Sequence, residues 1–195
     1  MAREVSSEFG AHDPGARARG IPGDFLRAKT LAYEPSGFTC SAPVPEAESA
    51  EYGACEFTLD GLAVRFRVAK TTPTKVGQFV TVWKRSEDGP IQPFDAEDPV
   101  DFFVISTRED ERFGQFVFPR DVLRERGIVS TNGSGGKRAF RVYPPWVTTT
   151  NRQAGNTQTW QLEHFLPLPA DEPVDISRAQ ALFHPRDRNQ LRPRQ

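Results

Sequence analysis

Two alternating runs, "CEFTL" (55–59) and "LAVRFRV" (62–68), are separated only by Asp60 and Gly61. An Asp-Gly pair between alternating segments is the strongest short-range signal for a β-hairpin. Side chains of a strand alternate between its faces. In the second arm, Leu62, Val64, Phe66 and Val68 therefore point one way, and Ala63, Arg65, Arg67 and Ala69 the other.

The flanking sequence divides by type. "GQFVTVWKR" (77–85), "VDFFVIST" (100–107) and "RFGQFVFP" (112–119) read as further strands, the last two as an antiparallel pair. "PGDFLRAKTLAY" (22–33) reads as a first helix with Asp24 as its N-cap, and "PEAESAEYGA" (45–54) as a short second one. "PRDVLRERG" (119–127) is expected to start a helix at Pro119 and stop it at Gly127. "NRQAGNTQTWQLEHF" (151–165) and "VDISRAQALF" (174–183) complete the helices. The pattern predicts an α+β fold, a central mostly antiparallel or mixed sheet flanked by helices. One domain is expected over 21–184, with a disordered tail at 1–20 and a flexible one at 185–195.

Several classes of protein are set aside. No run of 18 apolar residues is present, so a membrane partner is not expected, and the N-terminus lacks a secretory pattern. Cys40 and Cys55 have no histidine partners at zinc spacing, and reduced thiols in a cytoplasmic protein are the expectation. His12, His164 and His184 are scattered without metal spacing, so no metal or other cofactor is assigned.

The net charge of −1 conceals segregation. Residues 60–90 carry 6 basic and 3 acidic side chains, 91–126 carry 5 and 9, and 127–160 carry 4 and 0. Two basic blocks thus flank an acidic one. In the first, Arg65 and Arg67 share a sheet face, Lys70 and Lys75 extend the row, and Thr71, Thr72 and Thr74 offer hydroxyls to phosphate oxygens. In the second, "NGSGGKRAFRVYPPW", the glycines Gly133, Gly135 and Gly136 allow backbone amides to approach an anion. Lys137, Arg138 and Arg141 add charge there, with Tyr143 or Trp146 as a base-stacking platform; Trp83 and Trp160 read as core. A phosphate loop of the nucleotide-hydrolase kind is excluded, because no Ser or Thr follows Lys137. A rival arrangement pairs Arg65 and Arg67 with the acidic segment 94–101, which would remove them from any ligand.

A catalytic alternative is a Mg²⁺-dependent nuclease using Glu51, Asp60 and Lys70, with Glu48 and Glu56 nearby. The acid that usually stands two residues before such a lysine falls here at Val68, and valine cannot ligate a metal.

The motifs "YEPSGF" (33–38), "EYGAC" (51–55), "VAKTTPTKVGQFVTVWKR" (68–85), "PFD" (93–95), "FGQFVFP" (113–119), "GKRAFRVYPPW" (136–146) and "TQTWQL" (157–162) resemble the MepB family. The resemblance spans roughly residues 24–168. It implies a small bacterial protein with a restriction-endonuclease-like core and nucleic acid as partner, and it assigns no catalytic residue. The combined expectation is a nucleic-acid-binding protein. The alternatives are the nuclease and a pocket for a small anionic or planar ligand between the glycine loop and the aromatics.

Overall fold

The structure, a computed structural model, describes residues 20–46, 49–85 and 89–184. Gly20 apart, the two expected tails lie outside these residues, as does Glu48. The strands are β1 (Val44–Pro45), β2 (Cys55–Leu59), β3 (Leu62–Val68), β4 (Lys70–Thr72), β5 (Lys75–Thr81), β6 (Trp83–Arg85), β7 (Ile91–Pro93), β8 (Phe102–Glu109), β9 (Arg112–Pro119), β10 (Ala139–Val142) and β11 (Phe165–Pro167). The α-helices are α1 (Gly23–Ala28), α2 (Arg120–Glu125), α3 (Arg152–Leu162) and α4 (Ile176–Phe183). No helix among the described residues is long and apolar enough to cross a membrane.

A six-stranded sheet, ordered β1-β2-β3-β8-β9-β11, forms the centre; β3 and β8 run parallel and every other neighbour is antiparallel. The fold is thus α+β with a mixed sheet. The β2–β3 hairpin turns at Asp60 and Gly61, both with positive φ (50° and 82°), and Leu59 pairs with Leu62. Strict alternation sorts the sheet's side chains into two cores. Val64, Phe66, Phe102, Val104 and Val117 pack beneath α1 and α4 with Phe25, Tyr33 and Phe183. Phe103, Ile105, Phe116 and Phe118 pack on the opposite side with Val80, Val82, Leu123 and Val142. Burying each such side chain contributes roughly 1.5–3 kcal/mol.

Four local expectations are corrected. Asp24 is not an N-cap: Pro22 holds that position, and the Asp24 carboxylate instead accepts from Ser106 Oγ and from the Arg108 guanidinium across the sheet. Of the expected second helix, the described residues show a 3₁₀ turn at Ala50–Tyr52, while Pro45 of β1 pairs with Cys55 of β2 and Glu46 binds the arginines of β3. The segment 77–85 is two strands interrupted at Val82, whose side chain is buried. Trp83 is half-buried and outside both cores, with the Arg85 guanidinium 5.9 Å from its ring.

The crossover from β3 to β8 contains β4 to β7. Strands β10, β5 and β4 form a second, three-stranded sheet in that order, and one face of β5 supplies Val80 to the second core. The other face of this small sheet, and the helix α3 beside it, carry the candidate site.

Candidate nucleic-acid interface

The two basic stretches are neighbours in the small sheet. Lys70 on β4 pairs with Phe79 on β5, and Phe79 pairs with Arg141 on β10, so the three stand in one cross-strand row. Arg141 reaches back over the sheet: Nη2 donates to Thr72 Oγ1 at 2.7 Å, and Nη1 to the Gly77 carbonyl at 2.9 Å and the Lys75 carbonyl at 3.3 Å. All three acceptors are neutral, so the guanidinium is positioned without loss of its charge. Gly77, one of these acceptors, also lies directly beneath Tyr143. Its φ is +81°, and a Cβ there would lie 2.7 Å from the Tyr143 ring.

Beside this row, α3 and β10 enclose a groove of about 540 Å³. Gln161 fastens the two together, accepting from the Tyr143 amide and donating to the Arg141 carbonyl, each at 2.9 Å. Among the described lining residues, Lys75, Arg126, Lys137 and Arg141 are cations and none is a carboxylate. Phe140, Tyr143, Trp160, Asn151, Gln153, Thr157 and Gln161 supply the remaining polar and aromatic wall. The Arg126 guanidinium lies 4.9 Å from the Trp160 ring centre, a cation–π contact that holds the charge at the rim. α3 begins at the groove, with Asn151 capping the Ala154 amide at 2.9 Å, and its N-terminus adds positive potential. Among the described residues, no carboxylate lies within ion-pair distance of Lys75, Arg126, Lys137, Arg138 or Arg141.

Other expected site residues sit elsewhere. Arg67 is 1% exposed and forms a two-pronged pair with Glu46, at 2.7 and 2.9 Å. Arg65 pairs with Glu46 and Glu56. The two arginines do share a face, as alternation requires, but their charge is compensated inside the protein and is withdrawn from the anion-binding set. Their ion-pair partners are also not the acidic segment 94–101, which Arg65 approaches through the Phe94 ring, 5.7 Å away. Thr71 and Thr74 are exposed on the β4–β5 hairpin, and Arg138 is exposed at the start of β10. Trp146 packs edge-on against Phe165 at 5.8 Å beside the second core, so it is not a free platform, whereas Trp160, also packed on that core, forms part of the groove wall.

The glycine loop does hold an anion, but an internal one. Asp95 accepts from Ser130 Oγ at 2.6 Å and from the Gly133 and Glu97 amides at 2.9 and 3.1 Å. These bonds, led by that from Ser130, pull its carboxyl down to about 2. Gly136 has a φ of +79°, and a Cβ there would meet Pro93 at 2.7 Å. Gly136 therefore serves loop packing, and the Gly133 amide is already taken.

The catalytic alternative does not assemble. Asp60 sits at the start of β3, where it accepts from the Thr39 amide at 2.7 Å and contacts the His184 ring at 3.1 Å. These contacts, first that of Thr39, lower its carboxyl below the ordinary range. Lys70 follows the other end of the same strand, whose seven residues alone span about 20 Å at about 3.3 Å per residue. Glu51 is exposed on the 3₁₀ turn near Lys70. No group of three potential metal ligands occurs among the described residues.

Arg126, Asn151, Gln153 and Thr157 line the groove without having been singled out in the sequence. Arg126 is the final residue of the acidic block 91–126 and is averaged away there, although it adjoins the acid-free stretch 127–160.

Fold and site together define an α+β protein with a mixed sheet and, beside a small accessory sheet, a groove whose charged residues, among those described, are all cations. The MepB-like family model matches residues 46–167, and the chain belongs to the MepB-like family. A crystal structure of MepB is 36% identical, with a TM-score of 0.66, covering 78% of this chain and 99% of that one. A bacterial homing endonuclease, I-Ssp6803I, is 19% identical with a TM-score of 0.41, over 72% of this chain and 88% of that one. No curated protein matches the sequence.

Proposed function

We propose that this chain is a cytoplasmic nucleic-acid-binding protein that holds phosphates in the groove between α3 and β10. The observation that carries the reading is the charge of the groove's wall: Lys75, Arg126, Lys137 and Arg141 with no carboxylate among the described lining residues. Lys70 and Arg138, exposed alongside, extend the surface. Lys and Arg neutralise backbone phosphates and release counterions, so affinity falls linearly with salt on a logarithmic scale. The free thiols Cys40 and Cys55 suit a reducing compartment.

The test is a fluorescence titration of labelled single- and double-stranded oligonucleotides at 50 and 200 mM salt. About four neutralised phosphates correspond to a loss of about 50- to 150-fold between these concentrations. Arg126→Glu with Lys137→Glu should abolish most of the binding while the thermal midpoint stays unchanged. No binding at 50 mM salt overturns the proposal. Thermal stabilisation by mononucleotides alone would then assign the groove to a small anion.

A further inference from the structure

We infer that the bound nucleic acid presents unpaired bases, which stack on the outer face of the β4–β5–β10 sheet at Phe79 and Tyr52. The inference rests on the groove's reading as a phosphate site and adds what the ligand must offer besides phosphate.

Phe79 and Tyr52 are half-buried aromatics that belong to neither core. Their ring centres are 6.3 Å apart at 59°, a tilted contact and not a parallel stack. Phe79 projects from the middle strand of the small sheet, and its cross-strand neighbours on that face are Lys70 and Arg141. Adjacent strands lie about 4.8 Å apart, so a cation flanks the ring on each side. Lys70 Nζ rests 4.3 Å from the Tyr52 ring centre, and the Arg141 guanidinium 5.8 Å from that of Phe79. Glu51, exposed beside Tyr52, is the carboxylate nearest in sequence, and it lies on the turn rather than on the sheet.

Aromatic rings on an open sheet with basic residues between them match single-stranded nucleic acid, whose bases have π-faces to offer and whose phosphates pass at short intervals. A duplex keeps its bases stacked inside and would use the cations alone. The face is also continuous with the groove. Arg141 belongs to both, and Tyr143, two residues on and just past the end of β10, covers Gly77 and lines the groove wall. A strand laid over Phe79 is thereby led across Arg141 to Lys137 and Arg126.

The experiment compares three labelled polymers of equal length at 50 mM salt: an oligothymidine, the same length of abasic strand, and a duplex. Stacking of one base predicts oligothymidine binding about 5- to 160-fold tighter than the abasic strand. Phe79→Ala should erase most of that ratio by weakening oligothymidine binding more than binding of the abasic strand. Tyr52→Ala, on a turn outside both cores, should reduce the ratio and serves as the second variant should Phe79→Ala lower the thermal midpoint. Equal binding of the thymidine and abasic strands, or a ratio that both variants leave intact, overturns the inference while the groove stands. Absence of binding by all three polymers overturns the groove itself.

Discussion

Arg141 donates to Thr72 Oγ1 across 2.7 Å, joining β10 to a hairpin 69 positions earlier in the chain. With the bonds to the Gly77 and Lys75 carbonyls, it makes this one guanidinium the clamp of the small sheet. A lysine has one point charge and cannot reproduce the fork. Arg141→Lys is therefore expected to lower stability by about 1–2 kcal/mol and to weaken oligonucleotide binding severalfold. Arg138→Lys, exposed and without such partners, should change neither. Denaturant titration and the oligonucleotide assay check both.

Glu46 balances Arg67 in the interior. Removing it by Glu46→Ala leaves a guanidinium that is 1% exposed without its counter-charge. The expected loss is about 3–5 kcal/mol in urea unfolding. At a temperature where the variant remains folded, its oligonucleotide affinity should equal that of the unaltered protein, because Arg67 holds up the fold and does not face the ligand.

Asp95 makes the glycine loop sensitive to acid. Its folded value of about 2 lies below the ordinary 3.8, so its stabilising contribution is complete above about pH 4 and is lost as the pH falls through 2. The thermal midpoint should decline across that window, and Asp95→Ala should flatten this part of the decline while lowering the midpoint at pH 7.

Gly77 has no room for a methyl group. Gly77→Ala places an L-residue at a φ of +81° and drives its Cβ into Tyr143. The backbone term alone is about 1–2 kcal/mol. Displacement of Tyr143 and Arg141 should in addition weaken oligonucleotide binding, measured on the folded fraction.

Lys70 separates binding from cleavage. Lys70→Ala should weaken single-strand binding severalfold and leave Mg²⁺-dependent nicking of supercoiled plasmid at the level of the unaltered protein. Nicking that disappears with Lys70 would instead demonstrate a nuclease centre.

Local pattern carried much of this architecture. Asp60-Gly61 turns the hairpin where its backbone preference dictates, and the alternation along β3, β8 and β9 sorts their side chains to two cores. The boundaries of α2, α3 and α4 follow from Pro119 and from the caps Asn151 and Asp175. These features depend on residues a few positions apart, and short-range sterics and hydrogen bonding decide them. The same range could also mislead. Asp24 looks like a cap until Arg108, 84 positions away, claims its carboxylate.

The fate of each charge was decided only by the packed chain. Arg65, Arg67, Lys70 and Lys75 form one basic row in the sequence. Glu46 removes the arginines from it, and the pairing of β5 with β10 joins the lysines to Arg141. Asp95 likewise occupies the glycine loop from 38 positions away. Coulomb energy depends on distance and on the polarity of the intervening medium, and both are set by which surfaces the fold brings together. Composition places the cations along the chain, and tertiary contacts determine which of them remain available to a ligand.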